Sequence, residues 1–218
     1  MATVNKWSGV AVAMQSALGA NKTITAVANG ATATVTATHD FSVGDYVSFD
    51  VQGMTELNDK VYRVESVSTT VSFVIEDTDG NSVDTTNWGT FTSGTCNKIT
   101  YGTSISTITD LNSSGGDSTG IDTTTVHDLE RSEIPGARNA ISYSFNSIWD
   151  PTDAGLVALK NAADAGLKYA FKFKFQTGVI MVFRGYVDYS GAPTGSAQDK
   201  VVSPGVIKIA KSPTYYAS

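Results

Sequence analysis

The chain offers few residues that could carry catalytic chemistry. It contains one cysteine, Cys96, and two histidines, His39 and His127. A cysteine nucleophile needs a histidine within hydrogen-bond reach, and nothing in the spacing of these residues brings them together. His127 precedes Asp128 directly, but adjacent side chains on a strand or helix point in different directions. The sequence therefore predicts no catalytic residues and no enzymatic activity, and a hydrolase is the least supported function.

Metal and phosphate sites are equally poorly supported. One cysteine and two histidines fall short of a closed zinc site. Residues Asp77–Asn81 resemble the opening of a calcium loop, but no closing glutamate follows at the EF-hand spacing and no helices flank them, so a tight β-turn is favoured. The glycine-rich stretch Ser113–Gly116 lacks the Gly-Lys-Ser/Thr core of a phosphate loop. We expect no metal and no cofactor.

Lys172 and Lys174 alternate along one predicted strand and raise the question of nucleic-acid binding. Phosphate binding needs a dense basic footprint, whereas the segment around these lysines is close to neutral. A solvated strand face is the favoured interpretation.

Composition favours a subunit whose surface is covered by neighbours. Charged residues make up 17% of the 218 residues, below the roughly 25% of an average soluble domain, and Thr, Ser and Gly take their place. An ordinary secreted β-sandwich has a similar composition, so this feature alone does not separate the two classes. With a single cysteine, the chain has no internal disulfide framework that would indicate an oxidising compartment.

The sequence gives no sign of membrane insertion or secretion. No apolar run approaches the roughly 20 residues that span a bilayer, so we expect no membrane anchor. The first twenty residues end in small side chains, as signal peptides do, but Ser8, Gly9 and Gln15 interrupt their apolar stretch. We predict a strand there, in a protein that is soluble and intracellular at synthesis.

The acidic residues are concentrated in one internal segment. Residues 21–97 contain three basic and ten acidic side chains, a net charge of −7, while the remainder of the chain carries +1. Such an asymmetry indicates two modules with different surroundings. We therefore predict a discontinuous domain, residues 1–20 and 98–218, into which a small β domain, residues 21–97, is inserted.

The inserted segment has the pattern of a small barrel or sandwich. Short alternating stretches bounded by turn residues predict five strands, and Asn29-Gly30 is a strong hairpin signal. No helical period is visible in this segment. The predicted strands are Ile24–Ala28, Ala33–Ala37, Tyr46–Val51, Val61–Val67 and Val71–Glu76.

From Lys98 onward the chain alternates strands with long polar loops. We predict a helix after Ile148, with Asp150 as its N-cap, Pro151 at its first position and Gly166 as its end. Its apolar stripe is Leu156, Val157, Leu159, Ala163 and Leu167. The predicted strands are Ile99–Ile108, Ile141–Ile148, two strands split at Thr177-Gly178, and one near Val206–Ala210, with loops over Asp110–Ile121, Asp122–Ala137 and Ser190–Lys200.

One stretch resembles a known family. Residues 120–161 are similar to the tail tube (major tail) proteins of long-tailed bacteriophages, in the order and spacing of four short motifs. The motifs are Ile121-Asp122-Thr123-Thr124, Glu133-Ile134-Pro135-Gly136, Ile141-Ser142-Tyr143-Ser144-Phe145 and Asp150-Pro151-Thr152-Asp153-Ala154-Gly155. The resemblance covers roughly residues 2–20 and 98–211.

The inserted segment resembles a different module. It is similar to a small β domain that recurs in phage structural proteins and that is likened to the FCCH domain of ubiquitin-activating enzymes. This likeness implies no ubiquitin chemistry. The residues that carry it are Ser42-Val43-Gly44-Asp45-Tyr46-Val47, Gly53-Met54-Thr55-Glu56-Leu57-Asn58, Val61-Tyr62-Arg63-Val64 and Gly89-Thr90-Phe91-Thr92-Ser93-Gly94.

The tail tube resemblance implies a mainly β fold, a tail-tube-type β-sandwich or barrel with one flanking α-helix, plus the inserted small barrel-like domain on the tube exterior. It implies self-assembly into hexameric rings that stack into a conduit for DNA, with tape measure, tail tip and tail terminator proteins as partners. The expected location is the virion tail, assembled in the host bacterial cytoplasm. The loop 122–137 is expected to contact the next ring, and the terminal arms are expected to contact neighbouring subunits. The contact candidates are Asp122, Thr124, Asp128, Glu130, Arg131, Glu133, Ile134 and Pro135.

An alternative hypothesis from the same sequence is a surface adhesin or virion decoration protein built from two β modules. Rings or tubes of the purified protein would separate the two functions. Alanine at Glu130, Arg131 and Glu133 is expected to weaken ring stacking more than folding. Deleting Lys22–Asn97 with a short linker is expected to leave tube formation intact.

Overall fold

The structure is a computed structural model that describes residues 4–78 and 80–217. Residues 1–3, 79 and 218, which fall in the predicted domain ranges and in the predicted turn Asp77–Asn81, lie outside the described residues. The described part of the chain forms seventeen β-strands, one α-helix (α1, Ala154–Ala165) and one 3₁₀ turn (Thr55–Leu57). The strands are β1 (Ala11–Met14), β2 (Ala17–Leu18), β3 (Lys22–Val27), β4 (Thr34–Ala37), β5 (Tyr46–Gln52), β6 (Val61–Ser68), β7 (Ser72–Glu76), β8 (Ser93–Thr100), β9 (Thr103–Ile105), β10 (Ile108–Ser114), β11 (Ser118–Asp122), β12 (Glu133–Arg138), β13 (Ser142–Ile148), β14 (Lys168–Lys174), β15 (Ile180–Tyr189), β16 (Val202–Ile209) and β17 (Thr214–Tyr216).

Eight strands form the larger sheet, called here the large sheet. Its order is β10-β13-β16-β15-β14-β1-β9, and β17 pairs with β15 beside this path. Every pairing is antiparallel, so residues alternate between two faces. One face carries the main apolar core, which includes Tyr143, Phe145, Phe171, Phe173 and Phe183. The predicted strand Ile141–Ile148 and the pair split at Thr177-Gly178 are confirmed with small changes in their ends.

Helix α1 covers part of this core. The Asp153 side chain accepts a hydrogen bond from Leu156 N at 2.9 Å, and Gly166, with φ of 61°, ends the helix as predicted. The predicted N-cap at Asp150 is wrong, because its carboxylate instead accepts from the N–H and hydroxyl of Thr152 and shapes the preceding turn. The buried face is also narrower than predicted. Leu156, Leu159 and Ala162 are buried, whereas Val157 and Leu167 are exposed.

The internal segment forms a closed barrel of six strands. The pairings run β3-β4-β7-β6-β5-β8 and return to β3, and β2 pairs with the last residues of β8, beyond its pairing with β3. The sequence predicted five of the six strands; it missed the first half of β8, which contains Thr95, Cys96 and Asn97. The barrel has its own apolar core, including Val35, Phe49, Leu57, Val64 and Phe73. The predicted class, mainly β with one α-helix and a small barrel, is confirmed.

The two ends of the barrel segment lie next to each other. Gly19 N donates to Lys98 O at 2.8 Å, and the Asn97 amide donates to Gly19 O at 2.8 Å. An inserted domain requires this closeness.

Three local predictions are wrong. A single strand Ile99–Ile108 is not formed, because the chain turns after Thr100 and again after Ile105 to give β8, β9 and β10. The stretch Asp110–Ile121 is not a flexible loop, since β10 and β11 occupy most of it. The loop predicted over Asp122–Ala137 ends early, because β12 begins at Glu133. By contrast, the hairpin predicted at Asn29-Gly30 is confirmed: β3 and β4 pair, and the Thr85 hydroxyl donates to Ala28 O at 2.8 Å in the connection between them.

Candidate assembly surfaces

All eight predicted contact residues lie on one projecting hairpin. Strands β11 and β12 pair only with each other, with Ile121 opposite Ile134 and Asp122 opposite Glu133. We call this hairpin with its connecting residues 123–132 the arm. Every residue of β11 is exposed, and all but one of β12. An isolated two-stranded hairpin is marginally stable in water, so the arm gains from contact with another surface.

Hydrogen bonds within the arm hold its connecting loop in shape. Thr123 N donates to Ser132 O at 2.8 Å, and Thr125 N donates to the Asp128 carboxylate at 2.7 Å. Hydrogen bonds from the Thr124 hydroxyl and N–H, and then from Arg131, lower the pKa of Asp122 to about 2. The Thr125 N–H and hydroxyl lower the pKa of Asp128. Asp122, Thr124 and Asp128 therefore shape the arm from within.

Arg131 is not a free pairing charge, because its guanidinium binds the Asp122 carboxylate at 2.9 Å in the same arm. Glu130 forms no ion pair or side-chain hydrogen bond with the described residues. Among the predicted charges, Glu130 is thus a carboxylate that remains available to another molecule.

Apolar side chains at the end of the arm were missed by the sequence analysis. Val126 and Leu129 are fully exposed, at 97% and 104% of their reference areas. Ile121 and Ile134, which face each other across the arm, are half-exposed. We call residues 125–130 the arm tip. The available signal was the presence of Val126 and Leu129 in a loop that is otherwise polar.

Two glycines let the chain leave the large sheet for the arm. Gly115 and Gly116 have φ of 88° and 89°, a region that residues with a Cβ rarely adopt. A Cβ at Gly115 would lie 2.1 Å from Ala140 O. The chain at Gly115 therefore passes close to Ala140 at the base of the arm, where a side chain would not fit.

The large sheet has two further unpaired edges among the described residues. Strand β10 pairs only with β13, and β9 pairs only with β1. Exposed edges can accept a strand of another chain.

The barrel is packed firmly against the outer face of the large sheet, along a contact we call the seam. Val61 and Ile99 of the barrel pack with Ala170, Val182 and Tyr216 of the sheet, and all five are buried. The Tyr216 hydroxyl accepts from Arg63 N at 2.9 Å, and the Arg63 guanidinium lies 4.6 Å from the Tyr216 ring centroid. Strand β17 thus packs within its own subunit through the buried Tyr216, and a contact of the C-terminal arm with a neighbouring subunit stays a prediction. Arg63 also pairs with Glu76 at 2.7 Å.

The face that carries Lys172 is not simply solvated, as the sequence analysis expected. The Lys172 ammonium lies 4.8 Å and 5.5 Å from the ring centroids of Tyr101 and Tyr46. Burial at the seam, and then the nearby Lys174, lower the pKa of Lys172.

The candidate chemical residues are separated. His39 is buried in the barrel, where its Nδ1 accepts from Phe41 N at 3.1 Å and its Nε2 donates to Ser72 O at 3.0 Å. His127 is exposed on the arm. Cys96 is buried in β8, and burial raises the pKa of its thiol to about 12. Among the described residues, no three acidic, histidine or cysteine side chains are grouped to hold a metal ion, and no helix is long and apolar enough to cross a membrane.

Comparison with known proteins identifies the family. The family model described as phage tail tube protein, TTP, matches residues 52–218. The chain belongs to the phage tail tube protein family. It is therefore a structural component of a phage tail. The match begins at the end of β5, inside the barrel.

One solved structure among the matches is the tail of an empty GTA particle, refined with C6 symmetry. It is 16% identical, covers 55% of this chain and 87% of that chain, and has a TM-score of 0.41. A TM-score this low does not establish a shared fold. No curated protein sequence matches the chain.

Proposed function

We propose that this tail tube subunit is non-enzymatic and assembles with copies of itself into hexameric rings, which stack into a tube that conducts DNA into the host. Membership of the tail tube family supports the tube, and the six-fold ring is what the family resemblance implies. Assembly takes place in the host bacterial cytoplasm, and tape measure, tail tip and tail terminator proteins are the partners in the virion.

The observation that carries the assembly proposal is the arm. It projects from the large sheet, keeps its shape through its own hydrogen bonds, and exposes Val126 and Leu129 at its end. Exposed apolar side chains on a projecting element gain about 1.5–3 kcal/mol each when a partner covers them. We propose that the arm binds a neighbouring subunit, with Ile134, Pro135 and Glu133 on its strands and Glu130 at its tip.

We further propose that residues 21–97 are an inserted domain that lies on the tube exterior. The closeness of Gly19 and Lys98 and the separate apolar core of the barrel support this division. Because the acidic excess belongs to this domain, its position decides where most of the negative charge of the tube lies.

The arm proposal is tested by replacing both Val126 and Leu129 with serine. Loss of two buried side chains removes about 3–6 kcal/mol from each arm contact, so assembly should shift to much higher protein concentration while the monomer keeps its fold. Light scattering and electron microscopy measure assembly, and circular dichroism measures folding.

A matched control replaces Val43 and Val71, two exposed valines of the barrel, with serine. The control should assemble like the parent chain. Equal assembly by the parent and the arm variant would refute the arm contact.

A further inference from the structure

A shallow groove of about 380 Å³ lies where the end of α1 meets the seam. It is formed by Leu18 of β2, Leu167 after the helix, and Lys168, Arg184 and Tyr186 of β14 and β15. Leu18, Leu167 and Tyr186 are among the exposed large apolar side chains of the chain. The groove therefore combines an uncovered apolar surface with two cationic side chains.

The two cations differ in what they bind. Lys168 is paired with Asp59 of the barrel at 2.7 Å. Arg184 forms no ion pair with the described residues, and its Nε is buried without a hydrogen-bond partner. Asp50 lines the adjoining cleft on the barrel side but does not pair with Arg184. Covering one guanidinium nitrogen without a hydrogen-bond partner is costly, and the planar donors of the half-buried Arg184 fit a carboxylate.

The arm tip has the complementary features. It presents two uncovered apolar side chains, Val126 and Leu129, and directly beside them the unpaired carboxylate of Glu130. We propose that the arm tip of one copy binds the groove of a second copy, with Leu129 on the apolar surface and Glu130 against Arg184. This inference rests on the proposed function of the arm and assigns the surface that receives it.

A second apolar hollow is the other surface that could receive the arm tip. It has a volume of about 250 Å³ and lies between α1 and the ends of β13 and β15, with Val157 on its rim. Its cation, Lys160, is already paired with Asp164, and Asp150 adds a negative charge. An acidic arm tip therefore fits the groove at Arg184 better.

The register of the large sheet places arm and groove at the same end of the molecule. Ser142 is the first residue of β13 after the arm. It pairs with Lys208 of β16, Lys208 pairs with Tyr186 of β15, and Tyr186 pairs with Lys168 of β14. Two features at one end of a sheet meet most readily between copies placed side by side by rotation. Such a head-to-tail contact closes into a ring, so this proposal places Glu130 within a ring and not, as the sequence predicted, between stacked rings.

Charge reversal tests the pair. Glu130→Arg and Arg184→Glu, each alone, should raise the concentration needed for assembly by roughly tenfold or more, since each leaves a covered charge unpaired. Both changes in one chain should restore assembly to within about threefold of the parent. Matched controls are Asp199→Arg and Lys200→Glu in the exposed loop between β15 and β16, which should assemble like the parent.

Disulfide trapping tests the contact without altering Arg184. Leu129→Cys combined with Leu167→Cys should give a ladder of linked copies under oxidising conditions, because a disulfide forms only when the two Cα atoms come within about 7 Å. Leu129→Cys combined with Val157→Cys, at the competing hollow, should give no ladder. The native Cys96 is buried and should not contribute.

The outcomes separate the two proposals. If Glu130→Arg and the double serine variant at Val126 and Leu129 both assemble normally, the arm is not a contact and both proposals fail. If the arm variants impair assembly but Arg184→Glu does not, or the reversed pair gives no rescue, the groove is overturned and the arm contact stands. A ladder from the Val157 pair in place of the Leu167 pair also overturns the groove.

Discussion

The C-terminal strand should hold the barrel on the large sheet, and Tyr216 provides the sharpest test. Its side chain is buried at the seam, its ring lies under the Arg63 guanidinium, and its hydroxyl accepts from Arg63 N at 2.9 Å. Replacing a buried aromatic side chain with alanine costs about 3–5 kcal/mol. The Arg63 N–H left without a partner adds about 1–3 kcal/mol. We therefore expect Tyr216→Ala to lower the free energy of unfolding by about 4 kcal/mol or more.

The neighbouring residue supplies the control. Tyr215 is on the same strand but half-exposed, so Tyr215→Ala should cost less than about 1 kcal/mol. Tyr216→Phe keeps the ring and loses only the hydroxyl, which accepts from Arg63 N and donates to Glu76 O at 3.5 Å, so its cost should be about 1–3 kcal/mol. Urea denaturation with linear extrapolation measures all three variants. If Tyr216→Ala and Tyr215→Ala are equally stable, the C-terminal strand does not hold the seam.

Three further predictions follow from the arm and the seam. Replacing residues 22–97 with a short linker uncovers Val182 and Tyr216, so loss of the seam should lower the free energy of unfolding by about 3–6 kcal/mol. The shortened chain should still form rings, at higher concentration. If it fails to fold even with Val182→Thr, the barrel is an integral part of the fold. The folded-state pKa of Asp122 is about 2, below the unfolded value of about 3.9. Asp122 should therefore stabilise the arm at neutral pH, and this stabilisation should be lost as the pH falls from about 4 to 2. Nuclear magnetic resonance of the Thr124 amide would follow the change, and an unchanged signal down to pH 2 would contradict it. Gly115→Ala should disturb the base of the arm and impair assembly. Gly30→Ala should not, because a Cβ added there meets no atom within 4 Å; equal assembly by both variants would refute the strained base.

The parts of the fold with strong alternation were predictable from the sequence. Tyr143 and Phe145 alternate with serines in β13, and Phe171 and Phe173 of β14 flank Lys172, because these aromatic side chains face the main core. Strands β10, β11 and β12 were assigned to loops, since both of their faces are largely exposed and no apolar period marks them.

The assembly surfaces were predicted only in part. The resemblance indicated the arm, and its charges were named from their type. Which charges are free depends on the folded loop, where Arg131 binds Asp122 and leaves Glu130 unpaired. The groove at Arg184 could not be predicted, because Leu18, Leu167 and Tyr186 come from separate elements that only the seam and the large sheet bring together.

Electron microscopy of the purified protein over a range of concentrations shows whether it assembles as proposed. We expect closed six-membered rings and stacked tubes, with an arm reaching from each subunit to its neighbour and the barrel outside the wall. A protein that stays monomeric at every concentration, also when mixed with a tail tip or tape measure protein, would contradict the proposal.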